Sequence, residues 1–272
     1  MSQYKNKYIA TDVNTSWSIA EQYIEGGSTV LEIGASNGNF SAAMIENKSV
    51  TAHVVEPDKG DAQRASKKIQ VVINDTLENA LVSLKKHTYD HIVFLDVIEH
   101  FADPVKALKD VKKLLKKGGS IIFSVPNMAH MSVRLMLLSG TFTYAKTGLL
   151  DTTHLHFYTH EELARVFTEA GYQIEDLNGV VEVIEDRVIY NELKKIGIPT
   201  SRAFIRTLKG NNGTIYQFVG KATVASGDTP VVIPECSPDI NELRKDYYQV
   251  ENQRLWDQLA EKDKIINDLR NS

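Results

Sequence analysis

The chain has 272 residues, of which 42% are hydrophobic and 24% charged, enough for one large domain or a domain with an appendage. A formal net charge of −4 gives no general electrostatic hold on nucleic acid, so no nucleic-acid partner is expected and a small or neutral one is. The single cysteine, Cys236, excludes an internal disulfide and a thiolate zinc site, the opening MSQYKNKYIATDVN lacks the apolar stretch of a signal peptide, and no later run approaches a membrane span, so the expected compartment is the cytoplasm.

Five short β-branched runs, at 29–33, 52–56, 71–74, 91–97 and 120–125, alternate with helix-like segments. Near-continuous apolar strings of this length are strands buried on both faces, and the alternation predicts an α/β fold with a parallel sheet. After the fourth run, Asp103 is an N-cap with Pro104 at the first helical position. Val105, Leu108, Val111 and Leu115 share one face, and Gly118 is expected to end that helix. Residues 127–160 are irregular, rich in Met, Thr, Gly and His and long for a connection, which favours a substrate lid over an idle insertion. Thr159-x-x-Glu162 then forms a capping box, followed by an apolar face of Leu163, Val166, Phe167 and Ala170 and by Gly171 as terminator. Two more strand-like runs, 172–177 and 214–224, flank a mixed segment with Gly197, Pro199 and the turn signal Asn212-Gly213, and they complete the sheet.

Pro230, Pro234 and Pro238 forbid a helix within 226–238, which reads as a linker after a domain of residues 1–225. Residues 239–272 have no proline or glycine and carry Ile240, Leu243, Tyr247 and Val250 at 3-4-3 spacing, which predicts a C-terminal helix. The repeat breaks at Arg254 and shifts before Trp256, Leu259, Ile266 and Leu269. A coiled coil with a second copy, a partner enzyme, or the domain itself would cover the stripe.

The chemistry gathers at the strand ends. Val30-Leu31-Glu32-Ile33-Gly34-Ala35-Ser36-Asn37-Gly38-Asn39-Phe40 is a buried strand entering a glycine-bearing turn and then a helix. Gly34 and Gly38 are expected to let a ligand approach the backbone there. The dinucleotide fingerprint G-x-G-x-x-G is absent, which disfavours a nicotinamide dehydrogenase. Glu32-Ile33-Gly34-Ala35-Ser36-Asn37-Gly38 resembles instead the first motif of the class I S-adenosylmethionine (SAM)-dependent methyltransferases, with Ser36 where a glycine is common.

That resemblance spans about residues 25–225 and implies a doubly wound, Rossmann-like seven-stranded sheet with SAM as cofactor. Glu32, Gly34, Ser36 and Gly38 fall in its first motif. Glu56, ending the second strand, stands where the family places the acid that takes both ribose hydroxyls. Asp75, followed by Thr76, stands where an acceptor for the adenine amino group is implied, and Asp96 near the methionine moiety and the acceptor. Gly148-Leu149-Leu150-Asp151-Thr152-Thr153-His154-Leu155-His156-Phe157-Tyr158-Thr159 is similar to a stretch in methyltransferases of bacterial surface-glycan clusters, which often carry arginine where His156 stands. The implied function is O-methylation of a sugar or other small hydroxyl acceptor. Methylation of a phosphate or carboxylate, or a non-catalytic scaffold acting through the C-terminal helix, are the alternatives. A nucleic-acid methyltransferase would carry Asn/Asp-Pro-Pro-aromatic where this chain reads Asp96-Val97-Ile98-Glu99.

A hydroxyl acceptor must lose its proton as the new bond forms, and a neutral histidine suits that near pH 7. The candidates are His100, His130, His154 and His156. His154 ranks first because the glycan-type segment keeps it, and His100 second because it follows the fourth strand. No metal is expected, since His154-x-His156 shows no carboxylate partner.

Overall fold

The computed structural model describes residues 12–226 and 234–236. The expected helix at 239–272 lies outside the described residues, and so does any coiled coil it forms. Of the proline-bearing linker, the described Pro234 accepts a hydrogen bond at its carbonyl from His160 Nε2 (3.1 Å).

Among the described residues seven strands form one sheet: β1 (Thr29–Ile33), β2 (Thr51–Val55), β3 (Val71–Ile73), β4 (Tyr89–Leu95), β5 (Leu115–Pro126), β6 (Tyr172–Val181) and β7 (Ile215–Val224). Their order is β3-β2-β1-β4-β5-β7-β6. β1 to β5 pair in parallel, and β7 runs antiparallel to both β5 and β6. The order reverses at β1, with β2 and β3 to one side and β4 to the other, so a crevice opens outside the carboxyl ends of β1 and β4.

Helices cover both faces of the sheet, which is why its central strands read as unbroken apolar runs. On one face Val30, Ala52, Val93, Ile122 and Val219 pack with Ile19 and Ala20 of α1 (Ser16–Gln22) and with Phe40 and Met44 of α2 (Asn39–Lys48). α3 (Lys59–Ala65) follows β2, and α4 (Leu77–Leu84) follows β3. On the opposite face lie α5 (Pro104–Val111) and, after α6 (Met131–Leu138), α7 (His160–Glu169). There Phe123 of β5 meets Phe167 of α7 with ring centroids 4.4 Å apart, and Tyr172 donates its hydroxyl to the Leu108 carbonyl of α5. Both predicted caps form: Asp103 accepts from the Lys106 N–H and Thr159 from the Glu162 N–H.

Two expectations need correction. α5 ends at Val111, and a 3-10 turn, Lys112–Leu114, leads directly into β5, so Gly118 lies inside a strand instead of ending a helix. The pairing of β4 with β5 jumps from Tyr89↔Leu115 to His91↔Ser120, a bulge that holds the lysines of 116–117 in solvent. Gly118 has φ +80° there, and a Cβ on Gly119 would come 2.9 Å from the Asp90 carbonyl.

The mixed segment between β6 and β7 is helical. α8 (Asp186–Lys195) and α9 (Arg202–Lys209) bury Ile189, Leu193, Ile205 and Leu208 against Met131 of α6 in a small core of their own. Arg134 of α6 locks this unit by donating to the carbonyls of Ala129, Leu208, Gly210 and Asn211.

Candidate active site

The turn after β1 is set by backbone geometry. Gly34 has φ +70° and donates its N–H to the Val55 carbonyl of β2 (2.8 Å). Ser36 occupies the left-handed region too, at φ +48°, a conformation glycine takes more readily. Its N–H donates to Glu56 Oε2 (2.6 Å), while Asp58 N–H donates to Oε1 (2.8 Å). Glu56 is thereby pinned beside the turn, and each carboxylate oxygen retains a further lone pair, so it fits a ribose diol. Burial raises its carboxyl pKa against these two N–H bonds.

Packing within the protein also requires glycine at both turn positions. A Cβ on Gly34 would lie 2.6 Å from Val97 Cγ2, and one on Gly38 2.7 Å from Ile69 Cδ1 and 3.0 Å from Ala65 Cβ. Neighbouring protein alone leaves no room for a side chain at either position. Glu32 also turns inward: it is buried, accepts from Ser41 Oγ of α2, and burial pushes its carboxyl up to about 7. It locks the turn to the helix behind it.

Asp75 and Asp96 complete the row of strand ends. Asp75 Oδ1 accepts from Thr76 N–H (2.8 Å) and Asn79 Nδ2 (2.7 Å), and Thr76 opens α4 without capping it through its own side chain. Asp96 sits at φ +55°, with Oδ1 accepting from Ser124 Oγ of β5 and Gln217 Nε2 of β7, both at 2.8 Å. Burial raises its pKa as well. The two partners that aim Asp96 come from distant strands and carry no motif of their own.

Beyond Asp96 a 3-10 turn, Ile98–His100, carries Glu99, which is 0% exposed. Neither of its carboxylate oxygens meets a hydrogen-bond partner from another residue. Burial first, then the charges of Asp96 and Asp151, push that carboxyl well above the usual range. The Glu99 carbonyl accepts from the N–H groups of Leu155 (2.9 Å) and His156 (3.1 Å), which stitches the end of the 127–160 segment to this turn. Asp151 shapes the approach by accepting from Thr153 N–H and hydroxyl at Oδ1 and from His154 N–H at its carbonyl.

Those contacts bring His154 and His100 together, rings edge to face with centroids 4.9 Å apart. His154 Nδ1 faces the Leu149 carbonyl (3.2 Å) and His100 Nδ1 the Thr153 carbonyl (3.1 Å). A carbonyl only accepts, so each Nδ1 carries a proton and donates it. His154 Nε2 lies 3.9 Å from Glu99 Oε1. Burial and the neighbouring His100 hold the His154 pKa below its ordinary value, which keeps the ring neutral at pH 7. The phenol of Tyr158, also buried without a partner, is raised by burial and by Glu99.

The other two histidines do not join this cluster. His130 caps α6, with Nδ1 on Ser132 and Nε2 donating to the Glu182 carbonyl. His156 turns its Nε2 to the Ala102 carbonyl (3.3 Å). The carboxylate neighbour that His154 lacked in the sequence is Glu99. It stood in view in Asp96-Val97-Ile98-Glu99-His100, but nothing local paired it with a residue on another loop.

Residues 6–177 match a family model described as a methyltransferase domain. Among curated proteins, the ubiquinone biosynthesis O-methyltransferase of Nitrosospira multiformis is 28% identical over 161 residues, covering 57% of this chain and 66% of that protein. The protein of the same name from Pseudomonas putida is 23% identical over 201 residues, covering 71% and 82%. The match to the first thus spans just under two thirds of its length. Among solved structures, a SAM-dependent methyltransferase of Thermotoga maritima superposes with a TM-score of 0.52 at 20% identity, over 77% of this chain and 88% of that one. One from Archaeoglobus fulgidus gives 0.52 at 14% identity, over 76% and 94%. The structural matches speak to the fold, and the two curated relatives are named for ubiquinone where the sequence resemblance pointed to surface glycans.

Proposed function

We propose, from the premise that the chain belongs to the methyltransferase-domain family and is a SAM-dependent methyltransferase, that its acceptor is a hydroxyl on a sugar or another small molecule. The observation that carries this reading is the neutral His154, packed against the His100 ring, with Nδ1 committed to the Leu149 carbonyl and Nε2 left with a lone pair. An acceptor oxygen that is already anionic needs no such group, whereas a hydroxyl does. The curated relatives' names, which are those of O-methyltransferases, support oxygen as the atom methylated, and a phenolic ring joins the sugars as a candidate acceptor.

SAM supplies, when bound, a methyl group already activated by a positively charged sulfur. Glu56 would hold the ribose, Asp75 with Thr76 the adenine edge, and the Gly34–Gly38 turn with Asp96 the methionine end. His154 would take the acceptor's proton at Nε2 while the acceptor oxygen forms its bond to the methyl carbon and the carbon–sulfur bond breaks, releasing S-adenosylhomocysteine. Positioning does most of the work, because the donor is already reactive. Residues 127–160, tied down at 154–158 and exposed over 141–147, would close over the acceptor. The cytoplasm is the compartment this reading assigns.

Release of S-adenosylhomocysteine, measured against nucleotide sugars, lipid-linked glycans and small phenols, tests the acceptor class. His154→Ala should lower the catalytic rate by ~10²–10⁴ while calorimetry finds SAM affinity unchanged. A near-normal rate in that variant overturns the role of His154.

A further inference from the structure

We propose that Glu99, His100 and His154 form a binding site for one divalent transition-metal ion, which takes the acceptor's hydroxyl oxygen as a further ligand. The proposal rests on the hydroxyl-acceptor reading above and deepens it by saying how the cluster acts. One carboxylate oxygen of Glu99 and one ring nitrogen of each histidine all lie within 4.8 Å of one another. The sequence offered His154-x-His156 and no carboxylate. The fold discards His156, which faces the Ala102 carbonyl, and supplies Glu99 and His100 from the turn after β4.

Three further features point to an ion. Glu99 is 0% exposed with two oxygens unpartnered by any other residue, and a buried carboxylate is unfavourable unless a counter-charge or donors reach it. Both histidines donate Nδ1–H to backbone carbonyls, of Leu149 and Thr153, the outer bond that orients metal-ligating imidazoles and leaves Nε2 for the ion. The spacing also suits closure. Bonds near 2.1 Å bring donor atoms to roughly 3–3.5 Å of one another, a small side-chain adjustment from the 3.9 Å now separating His154 Nε2 and Glu99 Oε1.

The donor set selects the ion. Two imidazoles and one carboxylate suit zinc, iron or cobalt, whereas magnesium and calcium favour oxygen ligands. Three protein ligands leave a coordination position open for the acceptor's hydroxyl oxygen. A hydroxyl bound there becomes more acidic, loses its proton to water, and attacks the methyl carbon as an alkoxide while the carbon–sulfur bond breaks. With the ion in place His154 is a ligand, and the proton no longer passes to it.

The untagged full-length chain, stripped by chelation, is titrated with Co²⁺ alone, without SAM or acceptor. The expected result is saturable binding of one ion per chain with visible ligand-field absorption, displaced by Zn²⁺ and not by Mg²⁺. Glu99→Gln, His100→Ala and His154→Ala, each checked for native circular dichroism, should weaken Co²⁺ binding by at least about tenfold, and His156→Ala should not. Absence of saturable binding to the folded wild type, or binding unchanged in all three ligand variants, overturns the metal site. If Co²⁺ binds as expected and no hydroxyl acceptor turns over, the acceptor reading fails and the metal site stands. If hydroxyl acceptors turn over equally with chelator and the chain binds no Co²⁺, the metal site fails and the acceptor reading stands.

Discussion

The strand ends of β1 to β3 and the turn after β4 are neighbours at one edge of the sheet, yet they are organised in opposite ways. In the first region the three carboxyl groups are satisfied at short range: Glu56 by Ser36 and Asp58, Glu32 by Ser41, Asp75 by Thr76 and Asn79. In the second, Glu99 and the Tyr158 hydroxyl are buried without partners, and the rings of His154 and His100 meet edge to face with Nδ1 on backbone carbonyls. A satisfied region is preorganised to bind without rearranging. A region with buried unsatisfied groups is held together by its surroundings and gains most when a ligand arrives.

The largest expected effect lies in the preorganised region. Gly34→Val places a side chain at φ +70° and against Val97, so SAM binding should fall by about a hundredfold or more and the melting temperature should drop. Adding Val97→Ala relieves the collision and not the backbone strain, so the double variant should recover part of the loss. Calorimetric titration showing normal affinity in Gly34→Val would break the claim that protein packing fixes this turn.

A smaller effect sharpens the division between the two regions. Glu56→Ala removes two charge-assisted acceptors worth roughly 1.5–3 kcal/mol each before water compensates, so SAM affinity should fall about tenfold or more. Co²⁺ binding at Glu99, His100 and His154 should stay as in the wild type. Loss of both together in a folded variant would mean that the regions are coupled and the contrast is false.

The smallest effect concerns Glu32. Its folded carboxyl is raised from 4.5 to about 7, so the folded state keeps a proton that the unfolded chain releases earlier. The stabilisation is complete below the unfolded value and is lost as pH rises through 4.5 to 7. Glu32→Gln stays neutral throughout, so its melting temperature relative to wild type should rise by several degrees between about pH 5 and pH 8. A difference that does not change with pH would show that Glu32 is ionised in the folded chain.

Much of the cofactor half was legible because its signals are local. An apolar run ending in an acid or a glycine marks a strand end, and a cap such as Asp103 or Thr159 lies within three residues of the N–H it satisfies. α8 and α9 were missed because each buries only two apolar positions, Ile189 with Leu193 and Ile205 with Leu208, too few to stand out beside Gly197 and Pro199. Ser201, which caps α9, was the available signal.

The sequence by itself determined the alternation of strands and helices, the glycine-bearing turn, and the row Glu56, Asp75 and Asp96, since each depends on residues close together in the chain. Only the tertiary structure decided that Gly34 makes room for Val97, that Ser124 and Gln217 aim Asp96, and that Glu99 meets His154 while His156 turns away. The physical reason is one of range. Periodicity and capping record hydrogen bonds and burial within a few residues, whereas the partner of a buried charge is set by which loops the sheet brings to the same edge.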